Sequence, residues 1–283
     1  VVARTRAELA DALRGAGRVC LVPTMGALHD GHRRLLEHGR PLGDVLVASI
    51  FVNPTQFAPG EDLDAYPRTF DADLGICAAA GVDVVFAPDV ATMYPDGLDP
   101  TVTVDPGRLG TILEGAERPT HFRGVLTVVA TLFGLVRPEV AVFGEKDYQQ
   151  LVLITSMARA LATGVEVVGC PTVREPDGLA RSSRNVYLTA GDRERATVLH
   201  RALSAGAAAG PGGPDAVIAA ARRTLDDAGV DADYVALHSL DLGDPVPGQD
   251  ARLLVAARVG RPRLIDNCPV TLGAADILDP SGA

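Results

Sequence analysis

The chain has 283 residues and a mass of 29.4 kDa, is 47% apolar, and carries a formal net charge of −10 with a pI near 5.0. That apolar fraction excludes a disordered chain, and the acidic balance argues against nucleic acid as a partner, which needs a basic face. Of 26 basic residues, all but Lys146 are Arg.

In chain order, short apolar runs alternate with longer helical patterns over the first 170 residues. Residues 19–23, 45–52, 84–87, 140–143 and 165–170 read as strands, rich in Val, Ile and Ala without strict alternation. Such runs fit a parallel sheet covered on both faces. Helical stretches fall at about 31–40, 70–80, 122–136 and 147–162. The alternation predicts an α/β fold, a Rossmann-like doubly wound parallel sheet. The longest apolar run, 124–136, is shorter than the ~20 residues of a membrane span and reads as a buried helix, so no membrane association is expected.

Composition changes near Val173, where Arg174-Glu175-Pro176-Asp177-Gly178 is a turn signal. An Ala-rich helix follows at about 190–208, then a flexible break at 209–214, a helix to about 228, and strands near 233–239, 251–258 and 262–268. The predicted organisation is a nucleotide- and substrate-binding domain over 1–172 and a smaller α+β domain over 173–283. The four cysteines lie far apart without a C-x-x-C pair, and no secretory leader pattern is apparent. Both features point to core thiols in a reducing cytoplasm.

Ligands of parallel sheets gather at the carboxyl ends of strands. After the first predicted strand comes Thr24-Met25-Gly26-Ala27-Leu28-His29-Asp30-Gly31-His32. A strand, a Gly-containing turn and a helix start make an anion site. His29 and His32, three apart, are expected on one helix face as a phosphate clamp. A bare H-x-x-H is more often a pair of surface histidines; the strand and the glycines around this pair favour function. After the second strand, Asn53 and Gln56 suit a hydroxyl or carboxylate of a small substrate, although Asn53-Pro54 is equally ordinary turn chemistry. After the fourth, Gly144-Glu145-Lys146-Asp147 opens a helix that carries Gln150. Lys146 is placed to reach a phosphate and Asp147 a ribose hydroxyl. A chain that uses Arg elsewhere keeps its one Lys where a guanidinium does not substitute. Arg181-Ser182-Ser183-Arg184, in a Gly-led loop, suits triphosphate oxygens or is a polar interdomain loop. Asp71 and Asp73 are candidate acidic helpers.

Together these stretches resemble the pantoate–β-alanine ligase (pantothenate synthetase) family of H-x-G-H nucleotidyltransferases. The matching segments are PTMGALHDGH at 23–32, SIFVNPTQF at 49–57, EDLDAYPRT at 61–69, RPTHFRGV at 118–125, FGEKDYQQL at 143–151, and PTVRE with DGLARSSRNVYL across 171–188. The resemblance implies ATP-dependent condensation of pantoate with β-alanine through pantoyl adenylate, giving AMP and pyrophosphate. It implies Mg²⁺ held mainly by ATP phosphates, with protein ligands to the metal unknown, and a homodimer.

By the same resemblance, Met25, Gly26, Ala27, Leu28, His29, Asp30, Gly31 and His32 form the first ATP loop, with His32 the proton donor. Gly144, Glu145, Lys146 and Asp147 form the second. Val173 contacts adenine, and Ser182, Ser183 and Arg184 close over the triphosphate. Gln56 and Gln150 bind pantoate, Gln56 also lying near β-alanine. Arg181 departs from the family, which has an apolar residue there. It is expected to lie outward or to reach the triphosphate, with altered ATP affinity. Two other readings stay open: another H-x-G-H adenylyltransferase with a basic substrate pocket, and a nucleotide-binding module without catalysis.

Overall fold

The computed structural model describes residues 1–58, 60, 61, 63–98 and 102–274. It divides into two compact units, Val1–Val173 and a second beginning at Arg174.

The first unit runs β1 (Val2–Ala3), α1 (Arg6–Ala12), β2 (Val19–Thr24), α2 (Asp30–Gly39), β3 (Val45–Ile50), α3 (Phe70–Ala79), β4 (Val84–Phe86), α4 (Val90–Met93), α5 (Glu114–Glu117), α6 (His121–Val136), β5 (Val140–Gly144), α7 (Tyr148–Ala160) and β6 (Glu166–Cys170). The six strands form one sheet in the order β1-β4-β3-β2-β5-β6, with every pairing parallel. The predicted α/β class is therefore observed.

Successive residues of a strand serve opposite faces. Leu21, Val47, Ala141 and Phe143 pack with α1, α6 and α7 in one core. Cys20, Val22, Leu46, Ala48 and Val142 pack with α2 and α3 in another. Burial raises the thiols of Cys20 and Cys77 to about 11, so they act as small core residues.

The strand order reverses between β2 and β5. From β2 the chain builds outward through β3 and β4; from β5 it builds the other way to β6. In doubly wound sheets such a reversal opens a crevice at the carboxyl ends of the two strands. Register aligns Thr24 with Ile50 and Gly144 with Cys170 along one edge.

Two details differ from the sequence reading. β3 stops at Ile50 rather than Val52, because the chain turns at Asn53 into a short 3₁₀ turn, Pro54–Gln56. An N-terminal strand and helix were not predicted. α1 nonetheless carries a capping box, Thr5 bonded to Glu8 N–H and Glu8 reaching back to Thr5 N–H.

The second unit contains α8 (Ala190–Ala208), α9 (Pro214–Asp227) and an antiparallel sheet of β7 (Ala232–Ser239), β8 (Asp250–Arg258) and β9 (Arg263–Thr271). Leu199, Leu203, Val217, Ala221 and Leu225 of the helices share a core with Leu253 and Val255 of β8. The break predicted at 209–214 is a bonded turn instead. Gly212 and Gly213 N–H donate to Ala209 and Gly210 carbonyls, and Gly273 N–H also donates to Gly210. No described helix is long and apolar enough to cross a membrane.

Candidate active site

The loop after β2 is built around a buried carboxylate. Asp73, 1% exposed on α3, accepts from Ala27 N–H (3.0 Å) and Leu28 N–H (2.8 Å), and from the Thr69 hydroxyl (3.0 Å). These bonds hold Gly26 (φ 78°) and Ala27 (φ 49°) in the left-handed region. An added Cβ at Gly26 would lie 3.0 Å from Asp73 Oδ2, so glycine is required there on two counts. The sequence reading offered Asp73 as an acidic helper. Both of its oxygens are committed to the loop, so it positions the loop instead. Asp71 is exposed on the first turn of α3.

The two histidines do not share a helix face as expected. His29 is the N-cap of α2 and His32 its third residue, and they form a capping box made of imidazoles. His29 Nδ1 accepts from Gly31 N–H (3.0 Å), and His32 Nδ1 accepts from His29 N–H (3.3 Å). The ring centroids are 4.2 Å apart. A neutral imidazole carries one proton, so with both Nδ1 atoms accepting, both Nε2 atoms are donors. Burial, helped by the charges of His29 and Lys146 and opposed by Asp147, pushes His32 down to about 3. In this arrangement His32 offers a hydrogen bond from Nε2, and its burial disfavours an imidazolium.

On the other side of the reversal, Gly144 ends β5, and Glu145, Lys146 and Asp147 form a 3₁₀ turn before α7. Lys146 Nζ lies 3.6 Å from Asp147 Oδ1, its side chain one-fifth exposed. The charges of both residues act on His32, so the two strand ends meet electrostatically. Gln150, half-buried, lies on the first turn of α7. Its neighbour Gln149 is buried and structural, donating to Leu109 and Ile112 carbonyls and accepting from Glu114 N–H.

The segment after β3 is a chain of oriented amides. Asn53 is buried, its Oδ1 accepting from the Tyr94 hydroxyl (2.7 Å) and the Thr55 hydroxyl (3.0 Å). Its Nδ2 donates to Gly124 carbonyl (3.2 Å) and to Gln56 Oε1 (3.1 Å). Asn53 was expected to meet substrate, but its side chain is spent on protein partners. What it does is orient Gln56, whose Nε2 is turned toward Met25 Sδ at 3.1 Å. Gln56 thus presents a donor beside the first loop, suited to a carboxylate or hydroxyl oxygen.

One residue of this site was missed by sequence reasoning. His121, the first residue of α6, lies 2.9 Å through Nδ1 from the Gln56 carbonyl. Arg118 donates to the same carbonyl (3.3 Å) and holds Glu61 with two hydrogen bonds of 2.8 and 2.7 Å. Burial opposes the charge on Glu61, yet Arg118 holds its carboxyl below the usual range. Burial, reinforced by Arg118, lowers His121 to about 4, against Gln56, Glu61 and Asp147. α6 approaches closely because residue 124 is glycine; a Cβ there would lie 2.7 Å from Gln56 backbone N.

Val173 follows β6, half-buried, at the end of the first unit. In the second unit, Ser182 caps a 3₁₀ turn over Ser183–Tyr187, its Oγ accepting from Arg184 N–H (3.3 Å). Arg181 donates to Glu175 Oε2 at 3.1 Å. Arg174 pairs with Asp266 through two hydrogen bonds and donates to Gly178 carbonyl, which fixes the loop that leads into this turn.

Comparison with known proteins shows the family. A family model described as pantoate-beta-alanine ligase matches residues 1–269. The chain is 59% identical over 269 residues to the pantothenate synthetase of Nocardia farcinica, covering 94% of this chain and 84% of that protein. It is 55% identical to that of Thermobifida fusca, covering 96% of each. The pantothenate synthetase structure from Thermus thermophilus superposes with a TM-score of 0.87 at 48% identity, covering 94% of this chain and 98% of that one. A Francisella tularensis pantoate-beta-alanine ligase, solved with an ATP ligand and β-alanine, gives 0.79 at 33% identity over 95% and 97% of the two chains. The chain belongs to the pantoate–β-alanine ligase family.

Proposed function

We propose that the crevice between β2 and β5 carries out the family reaction with the following division of labour. The enzyme condenses pantoate with β-alanine using ATP as substrate. The observation that carries the assignment is the pair of Nε2 donors on His29 and His32, held by backbone bonds beside Lys146. Attack of the pantoate carboxylate on the α-phosphorus builds negative charge on phosphate oxygens. Preorganised donors and a cation stabilise that charge, and phosphoryl-centre chemistry asks little else of a protein.

Met25 to His32 and Gly144 to Asp147 bind the nucleotide, with Lys146 on phosphate and Asp147 on ribose. Gln56 and Gln150 hold pantoate, with Asn53 orienting Gln56. Val173 contacts adenine, and Ser182, Ser183 and Arg184 bind the triphosphate through hydroxyls and a guanidinium. Arg181 is held by Glu175 and contributes little to ATP affinity.

No group of three or more His, Cys, Asp or Glu among the described residues is arranged to hold a metal ion. A Mg²⁺ ion would be held by ATP phosphates and water, as suits an ion that dehydrates reluctantly. Bound there, the ion would neutralise charge on the departing pyrophosphate. The assembly is a homodimer working in the cytoplasm, and sedimentation of the purified protein tests the dimer.

The deciding assay is exchange of labelled pyrophosphate into ATP, dependent on pantoate, without β-alanine. Exchange is expected. A folded protein that shows none would remove the adenylate route and leave a nucleotide-binding module.

A further inference from the structure

The amine of β-alanine must shed protons to become an amide, and the donors described above cannot receive them. Gln56, Gln150 and Asn53 are amides. His29 and His32 have Nδ1 tied to backbone N–H groups and a proton on Nε2. Glu61 is held by Arg118.

His121 is the opposite case. Its Nδ1 faces a carbonyl, which only accepts, so Nδ1 carries the proton and Nε2 has a lone pair. No described residue bonds that Nε2. The ring stands at the amino end of the 16-residue α6, whose dipole disfavours a charged imidazolium. It shares the Gln56 carbonyl with Arg118, and the charge of Asp147 acts on both His121 and His32. His121 therefore lies beside the amide chain, within electrostatic reach of Asp147 in the second loop.

We propose that His121 Nε2 is the proton acceptor of the amide-forming half-reaction. This inference rests on the pantoyl-adenylate reading above. The β-alanine ammonium gives up two protons overall. The first goes to solvent and leaves a neutral amine. Its lone pair then forms the N–C bond to the acyl carbon, and the second proton remains on a cationic nitrogen. As the carbonyl re-forms, the C–O bond to the adenylate breaks and its electron pair leaves with AMP. The nitrogen becomes strongly acidic at that moment, so a weak base suffices. The proton passes to Nε2, and the imidazolium returns it to water.

His121→Asn tests the assignment, because an Asn side chain can keep the donor to the Gln56 carbonyl while offering no basic nitrogen. Pantoate-dependent pyrophosphate exchange should stay within about threefold of the unaltered enzyme. Single-turnover amide formation from preformed pantoyl adenylate and β-alanine should fall about 100-fold. In His121→Gly, added imidazoles should restore amide formation in order of their basicity, a trend that a merely structural role would not produce. Amide formation within about threefold of the unaltered enzyme would overturn the proposal, as would exchange and amide formation falling together. Loss of exchange in the unaltered protein would overturn the adenylate reading and this inference with it.

Discussion

The cap of α2 and the first turn of α6 use the same side chain for opposite chemistry. At the α2 cap, imidazole Nδ1 atoms accept backbone N–H bonds and Nε2 becomes a donor. At α6, Nδ1 donates to a backbone carbonyl and Nε2 becomes an acceptor. Both rings are kept neutral by burial, His32 at about 3 and His121 at about 4. The lesson is that a histidine's role is set by the backbone group on its far nitrogen.

The largest expected effect removes a donor. His32→Ala should lower pantoate-dependent pyrophosphate exchange by about 10²–10³-fold, the cost of one transition-state donor. His32→Gln, which restores an N–H, should recover part of it. Equal activity of the two variants would break the donor reading. Next comes the cation beside the donors. Lys146→Arg keeps the charge but moves it by about an ångström, and about 10²-fold should be lost from kcat/KM for ATP. Near-normal turnover would show that charge alone matters there.

Asp73→Asn attacks the loop that presents the donors. An amide offers one acceptor oxygen where two backbone N–H groups need partners. A loss of about 2–3 kcal/mol in urea unfolding is expected, with exchange falling as well. Unchanged stability would separate the loop from α3.

The pH dependence of stability sharpens the comparison further. Both imidazoles have native values below the ordinary one, so between those values and about 6.5 the unfolded chain binds more protons. Stability contributed by the neutral rings is complete above that window and is lost as pH falls through it. The melting temperature should drop between about pH 7 and about pH 5, and His121→Asn should flatten the slope. A slope identical in the variant would show that His121 does not titrate. The smallest effect is Arg181→Met. It breaks one partly exposed pair with Glu175, so stability should change by about 1 kcal/mol or less, and ATP KM by less than about threefold. A larger KM change would place Arg181 on the triphosphate.

The strand ends were legible because they are local. A Val-rich run, a turn with Gly26 and a helix start lie within about a dozen neighbouring positions, and the fold class follows from repeating that unit. What escaped depends on residues far apart in the chain. Asp73 meets Leu28 across 45 positions, and His121 meets Gln56 across 65. Asn53 looked like a substrate ligand because its Tyr94 partner, 41 positions on, is invisible locally. His29 and His32 were found by type and spacing, but which nitrogen faces outward depends on the bonds at the cap. The Thr5-to-Glu8 capping signal was local and legible, yet β1 has only two residues and gave no strand pattern to attach it to.

Gly124 joins α6 to the segment after β3 in a way that matters for redesign. Its carbonyl holds Asn53, and its bare Cα lets α6 touch the backbone of residues 55 and 56. One methyl group at that position would lift the helix, loosen the amide that steers Gln56, and carry His121 away in the same movement. Asn53, Gln56 and His121 are thus tied to one another through this one close approach. With Gln56 and His121 in their proposed roles, enlarging this wall of the site for a bulkier amine would cost selectivity for the acid as well, so a search for altered amine preference should begin on the opposite wall.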